Sequence, residues 1–284
     1  MPLENYPPEV HILRALGIET EVPDHSSSIA RLEVTPYLLG ADGGVRAGVL
    51  AVLLDVVGGA LAIRALHPDR MATADLDLQV VGVATGPVIE ARASVVRRGR
   101  TTLVVEADLV NVGAAAADGA KRGGEALVGW ATVTFAVLPR RGEGSVDEDG
   151  QARARRPVFA SSPLDRPVAD AVSITVVDPA GGRTWMPIEE YVHNSFGAVQ
   201  GGVMALIGEV AGVEAVGASL GLRGPATAVD LHVTYLTQGR VGPITTRARS
   251  VTSGAGIGTA IVELVDEGAG DRLNTVVSVG AVAP

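Results

Sequence analysis

Two carboxylates stand where an apolar helix should exclude them. Asp55 is the only charged residue between Gly48 and Ile63, and Glu209 holds the corresponding place in a second apolar run. Each follows a glycine-rich turn, Gly43-Gly-Val-Arg46-Ala47-Gly48 before Asp55 and Gly197-Ala-Val-Gln200-Gly201-Gly202 before Glu209. A carboxylate buried without partners is costly, so its presence calls for a role. Burial raises the pKa of such a group, which can then act as a general base toward water or as a nucleophile. Glycines at a helix start leave backbone N–H groups unshielded. With the helix dipole, these donors can hold an oxyanion developing on a carbonyl. Simpler roles are open too: the acids could cap a strand or bridge two parts of the chain, and the glycines could permit close helix–sheet packing.

The elements that would position these groups occur twice. Residues 43–55, GGVRAGVLAVLLD, repeat as 197–209, GAVQGGVMALIGE, with five of 13 positions identical. The match resumes in the same order: Ala72-Thr73-Ala74 with Ala226-Thr227-Ala228, Asp75-Leu76 with Asp230-Leu231 after one inserted residue, and Gly86-Pro87 with Gly242-Pro243. This is a duplicated domain. Residues 139–157, PRRGEGSVDEDGQARARRP, are charged and almost without apolar side chains, the composition of a linker. The expected division is a first domain at 1–138, the linker at 139–157 and a second domain at 158–284.

Each half carries the same pattern. In the first, a short helix over Pro8–Leu16 ends at Gly17, and a hairpin follows over Ile18–Val22 and Ile29–Val34. The apolar segment Val49–Leu66 is stopped by Pro68 and is apolar on every side, as suits a helix buried within its domain. Strands are expected at Asp75–Val81, Val88–Arg97, Thr101–Val110 and Leu127–Leu138, the first from the alternation of Asp75, Asp77 and Gln79 with Leu76, Leu78 and Val80. One buried helix with four to six antiparallel strands per half is an α+β arrangement.

Composition narrows the function. There is no cysteine, which excludes disulfides, thiolate metal sites and cysteine nucleophiles. A net charge of −9 without a long basic run argues against nucleic acid. The N-terminus lacks the pattern of a signal peptide, and the stretch Val49–Ile63 is short for a bilayer and carries Asp55. A soluble cytoplasmic protein with no membrane partner is expected.

The turn Asn194-Ser-Phe-Gly197-Ala-Val-Gln200-Gly201-Gly202, with Glu209 behind it, resembles the hotdog-fold acyl-CoA thioesterases of the phenylacetyl-CoA type. Their pattern is Asn, a Gly three residues on, His-Gly-Gly, and an acid nine residues after the His. The post-helix strands ATADL and ATAVDLHVTYL are similar to theirs as well. Gln200 and Arg46 depart from the pattern, standing where the family usually has His. The resemblance implies two tandem hotdog domains, each an antiparallel sheet wrapped around a long central helix. It also implies that the two form a pseudo-dimer within one chain, open to further assembly of chains, and that the reaction is acyl-CoA hydrolysis without metal or cofactor. In the family each site is shared: one hotdog gives the helix acid and a Ser or Thr 18 residues later, and its partner gives the Asn and the glycine N–H. Carried over, one complete site holds Asp55 and Thr73 from the first half with Asn194, Gly201 and Gly202 from the second, and Gln200 beside the substrate. Asp55 would activate water, Thr73 and Asn194 would position it, and the Gly201 N–H would polarise the carbonyl. The other site would hold Glu209, Thr227 or Ala228, Gly40 and Ala47. It is expected to be degenerate, since Asn is missing at Gly40.

Weaker signals remain. Arg97, Arg98 and Arg100 flank a strand turn, and either a solvated hairpin or contact with CoA phosphates would account for them. Asp230 is a second acid candidate, and His232 on the same strand face reads as a surface or interface pair rather than a metal site. His11, His25 and His67 read as loop or helix-end residues and His193 as a loop residue. Small residues beside the acids, Gly58, Gly59, Gly208 and Gly212 among them, would leave room for an acyl tunnel or permit close packing. Besides hydrolysis, non-catalytic acyl-CoA binding fits the motif loss, and a hydratase or dehydratase fits less well because neither long helix carries a His beside its acid.

Overall fold

In the computed structural model, which describes residues 6–113, 121–122, 125–138 and 163–284, the first half runs α1 (Ile12–Ala15), β1 (Glu19–Glu21), β2 (Ser27–Glu33), α2 (Ala47–Leu66), β3 (Arg70–Val80), β4 (Val88–Arg98), β5 (Thr102–Val112), β6 (Lys121–Arg122) and β7 (Glu125–Leu138). The second runs α3 (Val168–Ala171), β8 (Thr175–Asp178), β9 (Arg183–Met186), α4 (Gly201–Ser219), β10 (Thr227–Tyr235), β11 (Ile244–Thr252), β12 (Ile257–Asp266) and β13 (Arg272–Val282). The expected linker at 139–157 lies outside the described residues.

The strands form one antiparallel sheet in the order β1-β2-β4-β5-β7-β3-β10-β13-β12-β11-β9-β8, with β6 against β7. β3 and β10 join the halves. Leu76 pairs with Val233 and Leu78 with Leu231, while Asp77 faces His232. Since Leu76 repeats as Leu231 and Leu78 as Val233, this register is that of a pseudo-two-fold axis passing between Asp77 and His232. Alternation along β3 sends Leu76 and Leu78 into the core and leaves Asp75, Asp77 and Gln79 part-exposed on the other face.

β3 begins at Arg70, earlier than the alternation predicts, because a β-bulge interrupts the pattern. Thr73 pairs with Phe135 and Asp75 with Thr134, leaving Ala74 as the extra residue. The bulge turns Thr73 away from the face of Asp75 and toward α2. β10 carries the matching bulge at Val229, between Ala228 and Asp230. Ala228, not Thr227, is therefore the structural counterpart of Thr73.

Both long helices lie on the sheet and on each other. α2 packs on β2, β3, β4, β5 and β7, α4 on β9 to β13, and α2 also packs on α4. That explains why α2 is apolar all round. At 20 residues it has the length to cross a membrane, as does α4, but most of each helix is buried inside the protein. The helices meet almost backbone to backbone. A Cβ on Gly202 would lie 2.4 Å from Val52 Cα, and one on Gly48 would lie 2.8 Å from Leu206 Cα. These two contacts are mates under the repeat, in which Gly48 becomes Gly202 and Val52 becomes Leu206. Three of the other helix glycines serve packing rather than a tunnel: a Cβ on Gly58 would press on Phe135, one on Gly208 on Val277 and one on Gly212 on Val279, whereas one on Gly59 would meet only Met71 at 3.8 Å.

Gly202→Ala is accordingly expected to lower stability by roughly 1–3 kcal/mol through overpacking, read as a shift in the urea midpoint. Gly254→Ala, where nothing lies within 4 Å, should leave the midpoint nearly unchanged.

Candidate active site

The helix contact carries Asp55, two turns into α2, to the N-terminus of α4. Its Oδ2 accepts from Gln200 Nε2 at 2.7 Å and from the Gly202 N–H at 3.1 Å, and its Oδ1 accepts from Thr73 Oγ1 at 2.9 Å. Gln200 is the N-cap of α4, and its Oε1 accepts from the Val203 N–H at 3.0 Å. With the amide oxygen committed to the helix, the amide nitrogen must face the acid. A side chain on Gly201 would displace the acid, since its Cβ would come within 2.9 Å of Asp55 Oδ2. The Gly201 N–H is the first of the helix, and no group accepts from it among the described residues. The Gly201 carbonyl accepts from the Tyr235 hydroxyl at 2.9 Å.

Burial pushes the Asp55 carboxyl above the usual carboxylate range, although the Thr73 hydroxyl and the Gly202 N–H pull it back. The balance is a carboxylate held by three donors yet more basic than one in water. Tyr235 and Tyr6 have raised pKa values, first from burial and then from the nearby Asp55 charge. Neither tyrosine was singled out from the sequence. Their scarcity was the available signal, for the chain has only four tyrosines and two border this acid.

The Oδ1 of Asn194 accepts from the Phe196 and Ala198 N–H groups at 2.9 and 3.1 Å, closing the turn before α4. No hydrogen bond joins Asn194 to Asp55. At the matching turn, Gly40 has no side chain, and Asp42 Oδ1 accepts from Gly44 N–H instead. Arg98 and Arg100 are exposed at the β4–β5 turn and bond to no residue of the site. His11, expected in a loop or at a helix end, is the N-cap of α1 and is buried. Its Nδ1 accepts from Leu13 N–H and its Nε2 donates to the His193 carbonyl at 2.7 Å, tying the first half to the loop before α4. Arg70 adds a second tie, lying 4.9 Å over the Phe196 ring. His232 lies 3.2 Å from Asp75 across the junction of the halves, and no metal-binding cluster occurs among the described residues.

Around Glu209 the same frame carries different chemistry. Glu209 Oε2 accepts from Arg46 Nε at 3.1 Å and from an Arg46 Nη at 2.8 Å, so a guanidinium takes the place that Gln200 holds at Asp55. Ala228 supplies no hydroxyl where Thr73 does, and the Thr227 oxygen is buried with no partner among the described residues. A cavity of about 280 Å³ opens here, lined by Gly40, Arg46, Ala47, Glu209, Thr227 and Ala228 among others. Val80, also in its wall, is the counterpart of Tyr235.

Two helix acids, each on the N-terminus of the other half's helix over a shared sheet, define a double hotdog of the α+β class. The thioesterase superfamily model matches residues 43–115 and 196–277, and the chain belongs to that superfamily. Its fold is similar to a tesB protein of Mycobacterium avium subspecies paratuberculosis, at 11% identity and TM-score 0.63 over 96% of this chain and 98% of that one. It is also similar to a candidate thioesterase II of Thermobifida fusca, at 18% identity and TM-score 0.58 over 95% and 98%. A candidate oleoyl thioesterase of Lactobacillus plantarum matches at 12% identity and TM-score 0.58 over 95% and 98%. No curated protein sequence matches the chain.

The Arg46–Glu209 pair is mostly buried, with side-chain exposures of 17% and 5%. Arg46→Met should therefore leave Glu209 as an unpaired buried charge and cost about 3–5 kcal/mol. Arg46→Met with Glu209→Gln should recover most of the loss in a double-mutant cycle of thermal or urea unfolding.

Proposed function

We propose that the protein is a soluble cytoplasmic enzyme that hydrolyses the thioester of an acyl-CoA to the free acid and CoA, using the Asp55 site. The single observation that carries this reading is Asp55 itself: a carboxylate with raised basicity, fixed by Gln200, Gly202 and Thr73 beside the unused N–H of Gly201. Membership of the thioesterase superfamily supports it.

In this mechanism Asp55 takes a proton from water as the water oxygen bonds to the thioester carbonyl carbon. The carbonyl oxygen becomes an oxyanion, held by the Gly201 N–H and the N-terminal end of the α4 dipole. Collapse of the tetrahedral intermediate breaks the C–S bond, and the proton on Asp55 passes to the departing sulfur. Thr73 and Gln200 hold the acid in place throughout. Asn194 acts through the turn that presents the Gly201 N–H, and Tyr235 steadies the next peptide, donating to the Gly201 carbonyl while the Gly202 N–H of that unit donates to Asp55.

A panel of acyl-CoAs read with a thiol-reactive dye tests the reading. Asp55→Asn should lower kcat on the order of 10²–10⁴-fold, and Glu209→Gln should do much less. The base works deprotonated, so kcat/KM should fall as pH drops through the raised pKa, with the acid limb above the ~4 of an ordinary aspartate. Tolerance of Asp55→Asn together with damage from Glu209→Gln would place the live site at the other acid. No CoA release from any member of the panel would reject hydrolysis.

A further inference from the structure

The pseudo-two-fold axis makes the Glu209 site a geometric copy of the Asp55 site, yet the two have parted in a consistent direction. The changes at the copy remove catalytic equipment, and two of them, Ala228 for Thr73 and Val80 for Tyr235, leave space. Arg46 occupies the Glu209 carboxylate with two N–H groups. Ala228 offers no hydroxyl, Val80 replaces the Tyr235 ring, and the cavity of about 280 Å³ lies where these changes meet. Its walls are chiefly apolar, among them Val45, Val80, Val83, Val213 and Val282. Ala47, the first residue of α2, lines it too, and no group accepts from the Ala47 N–H among the described residues.

We propose that this cavity binds the acyl end of a second thioester and holds it uncleaved. The proposal rests on the thioesterase reading for the kind of ligand, and on the cavity for the site. The apolar walls suit a short acyl chain. The carbonyl oxygen would accept from the Ala47 N–H and from the Arg46 Nη that Glu209 leaves free. Charge selects the neutral thioester over the free acid. Glu209 already balances Arg46, and Asp42 adds a further negative group to the lining. A carboxylate ligand would thus meet like charges, whereas a thioester carbonyl brings none. Cleavage does not follow binding, because Arg46 neutralises Glu209 and Ala228 stands where Thr73 gives Asp55 its hydroxyl.

The test is binding stoichiometry on the whole chain, with a ketone analogue of octanoyl-CoA that has a methylene between sulfur and carbonyl. Calorimetry or equilibrium dialysis should give two equivalents per chain. Val80→Tyr, which installs the counterpart of Tyr235, should reduce this to one, with Ala228→Leu as the second variant and unfolding curves as the check on each. One equivalent for the wild type, or two in both folded variants, would overturn the proposal. So would displacement of the variant-sensitive equivalent by octanoate as readily as by the analogue. The two readings separate cleanly: two equivalents without CoA release from octanoyl-CoA or any other acyl-CoA would sink the hydrolase and leave the cavity site standing, and turnover with one equivalent would do the reverse.

Discussion

The architecture turns on one contact made twice, Gly48 against Leu206 and Gly202 against Val52. Only glycine lets the two helices come this near, because any Cβ at either position would overlap the backbone of the other helix. Each acid lies two turns beyond its glycine, so the same approach that packs the helices sets Asp55 at the start of α4 and Glu209 at the start of α2. The positive end of a helix is where a desolvated carboxylate is best tolerated. Packing and site formation are thus one event. The continuous sheet fixes it from below, since the β3–β10 register leaves the helices no freedom to slide along the axis.

A symmetric frame makes two sites at once, so any difference between them must come from side chains. The residue preceding each helix carries most of that difference. Gln200 is neutral: it gives Asp55 a hydrogen bond without cancelling its charge. Arg46 binds Glu209 through two N–H groups and neutralises it. The first arrangement holds a base and the second an ion pair, on the same backbone. The loop ahead of each helix shows which features the fold itself requires. Asn194 and Asp42 each accept from the peptide N–H that closes the turn, although they stand at different positions of the repeat. The acceptor is structural, and its exact residue is free to vary.

Much of this was legible in the sequence because it is local. The repeat, the two acids, the glycine pairs and the spacing from Asp55 to Thr73 all lie within short windows, and helix and strand periods follow from them. What was hidden depends on contacts between distant segments. The pairing of Arg46 with Glu209 spans 163 residues and could not be read from either motif. The choice between Thr227 and Ala228 depended on which residue bulges in β10, and a bulge is a matter of register with a neighbouring strand. The glycines beside the acids suited a tunnel or close packing equally well until Val277, Val279 and Phe135 were found against them. His11 is at a helix end, as its sequence context suggests, capping α1 through the Leu13 N–H, but nothing nearby announces its second partner, the carbonyl of His193, 182 residues away.

Gln200 also bears on why an amide can serve where the resembling family usually has an imidazole. An imidazole beside a buried carboxylate forms a coupled pair, and its charge changes in the same pH range in which a raised aspartate titrates. The Gln200 amide does not titrate. Its oxygen is fixed by the Val203 N–H, so its nitrogen keeps donating to Asp55 whatever the pH. The acid then changes protonation state against a constant set of donors: an amide, a hydroxyl and a peptide N–H. Desolvation raises its pKa, and the Thr73 hydroxyl and the Gly202 N–H limit the rise, so the basicity of Asp55 follows from burial and from neutral donors.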